Sequence, residues 1–128
     1  MRKVLTVSLV LVLVLFSTMG QAKTTQKQKL MVDMANVTES LRITLENFSS
    51  GIISKDEAVT QLKEYQLETT FILEKARAGD MSTDFIKTAV GLDMVVGLYR
   101  DGVNEMNPKK IELANKITTL VLIPRFKN

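Results

Sequence analysis

The sequence predicts an all-α protein, a four-helix up-and-down bundle that follows an N-terminal signal peptide. Apolar residues recur at steps of three and four in four successive segments of the 128-residue chain, and this is the period of one helix face. Helix stop and start signals separate these segments. No segment alternates for more than a few residues with the period of a strand, so the sequence indicates helices alone.

The N-terminus has the three parts of a secretory signal peptide. Arg2 and Lys3 are positively charged, residues 4–16 form a mostly apolar run, and Gly20 and Ala22 place small residues at −3 and −1 of a cleavage point. The apolar run is shorter than the roughly 20 residues that cross a bilayer as a helix. We therefore predict cleavage, and no stable membrane span after signal removal.

Cleavage after Ala22 divides the chain into a signal peptide, 1–22, and a helical bundle domain, 23–128. The mature part keeps 128 − 22 = 106 residues, with 17 − 2 = 15 basic and 14 acidic side chains. A net charge of about +1 gives no counterion-release argument for nucleic-acid binding. We predict an exported protein, periplasmic or secreted, with no nucleic-acid partner.

The composition excludes several kinds of catalytic site. The chain contains no Cys and no His, so it cannot form a Ser-His-Asp or Cys-His nucleophile system, a His/Cys zinc site, or a haem held by either side chain. A cysteine-free exported domain also has no disulfides, and packing must supply its stability. We predict a non-enzymatic protein without a cofactor or metal.

Three of the four predicted helices show one apolar stripe each and clear end signals. Helix one covers residues 25–49 and stops near Gly51; helix two begins at a Ser54–Glu57 capping box; helix four begins at Asn107-Pro108. The predicted core stripe of helix one is Leu30, Met34, Val37, Leu41, Leu45 and Phe48. That of helix two is Ala58, Leu62, Tyr65, Thr69, Ile72 and Ala76, widened by Val59 and Phe71. That of helix four is Ile111, Ala114, Ile117 and Val121, before a stop at Pro124.

Helix three, residues 82–100 with a predicted stop at Asp101-Gly102, has two apolar flanks and one thin polar seam. One flank contains Phe85, Leu92, Val95, Val96 and Tyr99, and the other Val90, Met94 and Leu98. The seam contains Ser82, Asp93 and Arg100 and is bordered by Ala89 and Gly97, which places Asp93 at a solvent-facing or interfacial position. Such a helix is either central in its bundle or shared with a partner. Gly91 and Gly97 predict close approach by another backbone or a ligand, or else ordinary close helix packing within the bundle.

Two acidic patterns in the sequence share some features with metal sites. Residues 101–112 have an acid at each end, as a calcium-binding EF-hand loop does, but Met106 occupies the position of its required glycine. On helix two, Glu57, Gln61, Glu64 and Glu68 share one face. Without a His nearby, this row is typical of a solvated helix edge.

The leading functional hypothesis is a non-enzymatic module that binds another protein, with a homodimer as a possible assembly. Chaperone-like, immunity-type and accessory roles stay open. The predicted partner-binding residues are Leu92, Asp93, Met94, Gly97, Tyr99 and Arg100. The alternative is a small-ligand carrier or enzyme with an inter-helix cavity, using Asp93 and either Tyr65 or Tyr99 as polar groups.

Export predicts a specific mass. The protein recovered outside the cytoplasm should lack its first residues, with the new N-terminus close to Lys23, because signal peptidase cuts after a small residue at −1. Intact-mass spectrometry of that fraction checks this. Full-length chain confined to the cytosol would refute the signal-peptide interpretation.

Overall fold

A computed structural model describes residues 26–122, and the predicted signal peptide 1–22 and the stop at Pro124 lie outside these residues. The described part contains four helices and no strand, which confirms the predicted all-α bundle. The elements are α1 (Gln26–Ser49), α2 (Lys55–Ala78), α3 (Thr83–Asn104), α4 (Pro108–Ile117) and a π-helical turn (Thr118–Leu122). Within residues 26–122, no helix has the length and apolar character needed to span a membrane.

Side chains at the helix starts behave as the sequence predicts. The Ser54 hydroxyl accepts a hydrogen bond from the Glu57 amide at 3.1 Å, and the Glu57 carboxylate accepts one from the Ser54 amide at 3.5 Å. Both bonds of the predicted capping box are thus present. Asn107 caps α4 in the same way, accepting from the Lys109 amide at 3.1 Å. These caps define where α2 and α4 begin.

Helix α3, the third along the chain, packs between two other helices. It contacts α2 along one side and α4 along the other, and it meets α1 only slightly. Its contact with α2 is the most extensive in the described part of the chain. Within residues 26–122, α3 therefore has a neighbouring helix on two sides, as α2 does, and the sharing of α3 with a partner stays a prediction.

The residues of the predicted core stripes are mostly buried or half-buried, and the side chain of Val121 lies outside those that the structure describes. Phe71, expected to widen the α2 stripe, is 56% exposed, so that prediction was wrong. Phe71 lies next to Thr70 on a solvent-exposed part of α2. The Lys75 ammonium lies 4.6 Å from the centroid of the Phe71 ring. On α3, Met94 is also exposed, and its neighbours Val90 and Leu98 are half-buried. The second apolar flank of α3 is therefore an outer face.

The predicted end of helix three was also wrong, because α3 continues through Gly102 to Asn104. A glycine is a weak helix residue by itself. Here Gly102 lies against the start of α4: a Cβ built on it would be 2.7 Å from Ile111 Cγ1 and 3.3 Å from the Ile111 backbone nitrogen. Close tertiary packing thus keeps the last turn helical where the local sequence indicates a stop.

The α3–α4 pair is antiparallel with a constant register. Gly102 meets Ile111 and Gly91 meets Leu122, while the Tyr99 hydroxyl donates a hydrogen bond to Asn115 Oδ1 between them. The Lys110 ammonium reaches the Glu105 carboxylate at 2.9 Å near the connecting loop. These contacts place Leu98 of α3 at the level of residues 115–117, and Met94 at the level of residues 119–120.

Close approach occurs at Gly91 and Gly97, but through side chains of the same chain. A Cβ on Gly97 would be 2.9 Å from Gln66 Nε2, and one on Gly91 would be 2.9 Å from Leu122 Cδ2. Of the alternatives predicted for these two positions, the structure shows close helix packing within the bundle. The α3 glycine that a second backbone approaches is Gly102, which sequence reasoning treated only as a helix stop.

The two kinds of glycine contact predict different costs of substitution. Gly102→Ala should lower the free energy of unfolding by about 1–2 kcal/mol, because backbone at Ile111 cannot move aside and overpacking exceeds the helix-propensity gain. Gly97→Ala should change it by less than about 0.5 kcal/mol, because the helix-propensity gain is offset by displacement of the Gln66 amide, which is flexible but bonds to Arg100. Urea unfolding of both variants measures the difference. Equal effects would contradict this reading of the α3–α4 contact.

Candidate functional site

The structure does not bring the six predicted partner-binding residues onto one surface. Leu92 and Tyr99 are buried in the core of the chain, and Met94 is 51% exposed. Asp93, Gly97 and Arg100 are half-buried along the side of α3 that faces α2. Partner contact by these six residues stays a prediction, and Met94 is the side chain among them that is freely accessible.

The polar seam of α3 is an interhelical contact with α2. Asp93 Oδ1 accepts hydrogen bonds from the Thr69 hydroxyl at 2.7 Å and the Thr70 hydroxyl at 3.3 Å. Arg100 donates to Gln66 Oε1 and forms an ion pair with Asp101 at 3.0 Å. Asp93 is thus interfacial, as expected, but the interface lies within the chain.

The polar groups of the carrier or enzyme alternative lie at three different helix contacts. The Tyr65 hydroxyl is 2.7 Å from the Thr44 hydroxyl, between α1 and α2. Because Thr44 donates its own proton to Gln61 at 2.7 Å, Tyr65 is the donor of this bond. Asp93 lies between α2 and α3, and Tyr99 bonds to Asn115 between α3 and α4. The structure therefore does not gather Asp93, Tyr65 and Tyr99 into one site.

The acidic patterns also lack a metal-binding geometry. Within residues 26–122, no group of three His, Cys, Asp or Glu side chains could hold a metal ion. Asp101 pairs with Arg100 and Glu105 with Lys110. Met106, at the position where an EF-hand needs glycine, has a φ of 51° and terminates the turn between α3 and α4.

Several apolar side chains of α3 and α4 are exposed or only half-buried. We define the outer strip as Val90, Met94, Leu98, Leu113, Ile117 and Leu120. Met94, Leu113 and Leu120 are 51%, 47% and 72% exposed. Val90, Leu98 and Ile117 are half-buried, and the last two pack against the core.

Helical period groups the α3 members of the strip in one row, and the α3–α4 register sets the levels of its α4 members. Val90, Met94 and Leu98 are spaced by four residues, so they form one row on α3. The α3–α4 contacts at Gly91, Tyr99 and Gly102 set the levels of the two helices. In this register Leu98 lies at the level of residues 115–117, and Met94 lies at the level of residues 119–120. Helical spacing identified the α3 row. On α4, Ile117 packs against the core, as predicted, and Leu113 and Leu120 were not among the predicted site residues.

Opposite charges mark the two ends of the outer strip on α3. Lys87 is exposed one turn before Val90, and among the described residues it has no ion-pair partner. Asp101 and Glu105 lie at the other end, where Arg100 and Lys110 contact them. The row on α3 therefore has a basic side chain at its start, apolar side chains in its middle, and acidic side chains at its end that already pair with Arg100 and Lys110.

Comparison of the chain with protein-family models finds no matching family, and comparisons with curated proteins and with solved structures find no match.

The buried phenol of Tyr99 makes a prediction about alkaline stability. Burial raises the pKa of Tyr99 well above that of a free tyrosine, and the nearby Thr118 hydroxyl has a smaller, opposite effect. Above about pH 10 the unfolded chain loses this proton while the folded chain keeps it, so stability falls as pH rises.

Replacing Tyr99 by Phe should remove that part of the pH dependence. We expect Tyr99→Phe to be less stable than the wild type by about 1 kcal/mol at neutral pH, because the bond to Asn115 is lost. Between pH 9 and pH 11 its loss of stability should be smaller than that of the wild type. Urea unfolding at both pH values measures this, and parallel losses in the two proteins would refute it.

Proposed function

We propose that the protein is an exported, non-enzymatic helical module that binds a protein through the outer strip. The observation that carries this proposal is the grouping of Met94, Leu113 and Leu120, three accessible apolar side chains, on two adjoining helices. An apolar group exposed to water is costly, and its burial against a partner recovers that free energy. Aromatic and methionine side chains are enriched in such contacts, and the flexible thioether of Met94 can fit an uneven partner surface.

The chemistry of the chain supports binding over catalysis. The polar groups of the alternative, Asp93, Tyr65 and Tyr99, each have a hydrogen-bond partner within the chain and lie at separate helix contacts. A catalytic site needs such groups close to one reacting atom. Chaperone-like, immunity-type and accessory roles all use a binding surface, and the choice among them depends on the partner.

Export is part of the proposal and has its own support. The charged start, apolar run and small residues before Lys23 are signal-peptide features. The absence of cysteine means that the domain stays the same in oxidising and reducing compartments.

Site-specific photo-crosslinking in the producing cells tests the binding function. A benzophenone side chain in place of Met94 should give a crosslinked protein product, because a partner bound to the outer strip would contact the benzophenone. The matched control is the same side chain at Ile43, which is 43% exposed on α1, a helix that meets α3 only slightly.

Products from position 94 that are absent from position 43 would support the proposal. Absence of any protein crosslink from position 94, with both variants folded by circular dichroism, would refute it. Equal products from both positions would indicate nonspecific contact and would also count against the strip.

A further inference from the structure

We infer that the partner on the outer strip is a second copy of this chain, with α3 of one copy antiparallel to α3 of the other. This inference rests on the proposed function, because it assigns the occupant of the same strip. Its basis is the order of charged and apolar residues along the exposed side of α3. When α3 of a second copy runs in the opposite direction, the basic end of each helix faces the acidic end of the other, and the apolar middles face each other.

The relevant side chains lie on one side of α3. At about 100° per residue, Lys87, Met94, Leu98 and Glu105 fall within about 40° of one another, and Val90 and Asp101 border them. Lys87, Met94 and Glu105 are exposed and the other three are half-buried. A second helix laid along this row therefore meets charged residues at its ends and apolar residues between them.

Antiparallel pairing satisfies the apolar and the charged contacts together. A two-fold axis at the level of Val96 places Met94 opposite Leu98 of the second copy, and the same axis places Lys87 opposite Glu105. Because the axis relates the copies equally, each contact occurs twice. A parallel arrangement would set Lys87 against Lys87 and Glu105 against Glu105, and like charges in direct contact are unfavourable.

The existing ion pair at Glu105 is compatible with this contact. The Lys110 ammonium lies 2.9 Å from one Glu105 oxygen, and both side chains are over a third exposed. A carboxylate accepts several hydrogen bonds, so a second ammonium group can join the first. Surface ion pairs contribute little affinity. We assign the charges to choosing the orientation and the apolar middle to supplying affinity.

The α4 row extends the same contact. In the antiparallel arrangement α4 of one copy lies over α4 of the other, and the α3–α4 register places Ile117 at nearly the level of the axis. Leu113 and Leu120 flank it on either side and are exposed in the single chain. One arrangement thus covers all three accessible apolar side chains of the strip.

Reciprocal charge reversal tests the orientation. The wild type and its charge variants are expressed from the full sequence, purified, and compared by analytical ultracentrifugation. We expect a concentration-dependent dimer for the wild type. Lys87→Glu alone and Glu105→Lys alone should each weaken dimerisation at least about tenfold, because each places like charges at both ends. An equal mixture of the two variants should dimerise like the wild type, since every Glu then meets a Lys.

Two further proteins serve as controls. Lys29→Glu reverses an exposed charge on α1 and should leave the dimer unchanged. Met94→Asp should abolish dimerisation without unfolding the chain, because Met94 is at the surface. High salt should reduce the differences among the charge variants, since it screens exposed pairs. Circular dichroism confirms that all variants are folded.

Each result either supports or overturns the inference. A wild-type monomer at all concentrations, together with a position-94 crosslink to a different protein, would overturn self-pairing and leave the proposed function standing. A monomer without any position-94 crosslink would overturn both. A wild-type dimer whose two charge variants fail to restore each other would overturn the antiparallel arrangement.

Discussion

The packing of α3 between α2 and α4 is the contact on which the rest of the molecule depends. On the α4 side it is very close, because Gly102 and Gly91 admit Ile111 and Leu122 where larger residues would clash. This closeness sets the register of the two helices and buries Tyr99, whose hydroxyl finds a partner in Asn115. A buried hydroxyl without a partner would cost more than the bond supplies, so register and hydrogen bond depend on each other.

The α2 side of α3 uses different chemistry. There the contact is polar, with Asp93 bonded to Thr69 and Thr70, and Arg100 bonded to Gln66. Directional bonds of this kind restrict how two helices slide past one another. Because α3 has neighbours on both sides and its core side points inward, a single row of its residues remains outside, and that row includes Met94.

The outer strip is therefore a consequence of the packing as well as a candidate binding surface. Val90, Met94 and Leu98 alone would make a narrow apolar row on one helix. The antiparallel register adds Leu113, Ile117 and Leu120, which widens the row across two helices. The charges at its ends, Lys87 and Glu105, are far apart along one chain, and they become complementary only when a second helix runs in the opposite direction.

The sequence by itself determined the four helices and most of their ends, because helical period and caps such as Ser54 and Asn107 are local properties. It also identified the second apolar row of α3.

Tertiary structure decided what each row faces: Phe71 is exposed, Asp93 bonds to α2, and α3 continues through Gly102 because Ile111 packs against it. Leu113 and Leu120 join the strip only through the α3–α4 register. These outcomes depend on residues distant along the chain, which local periodicity does not contain.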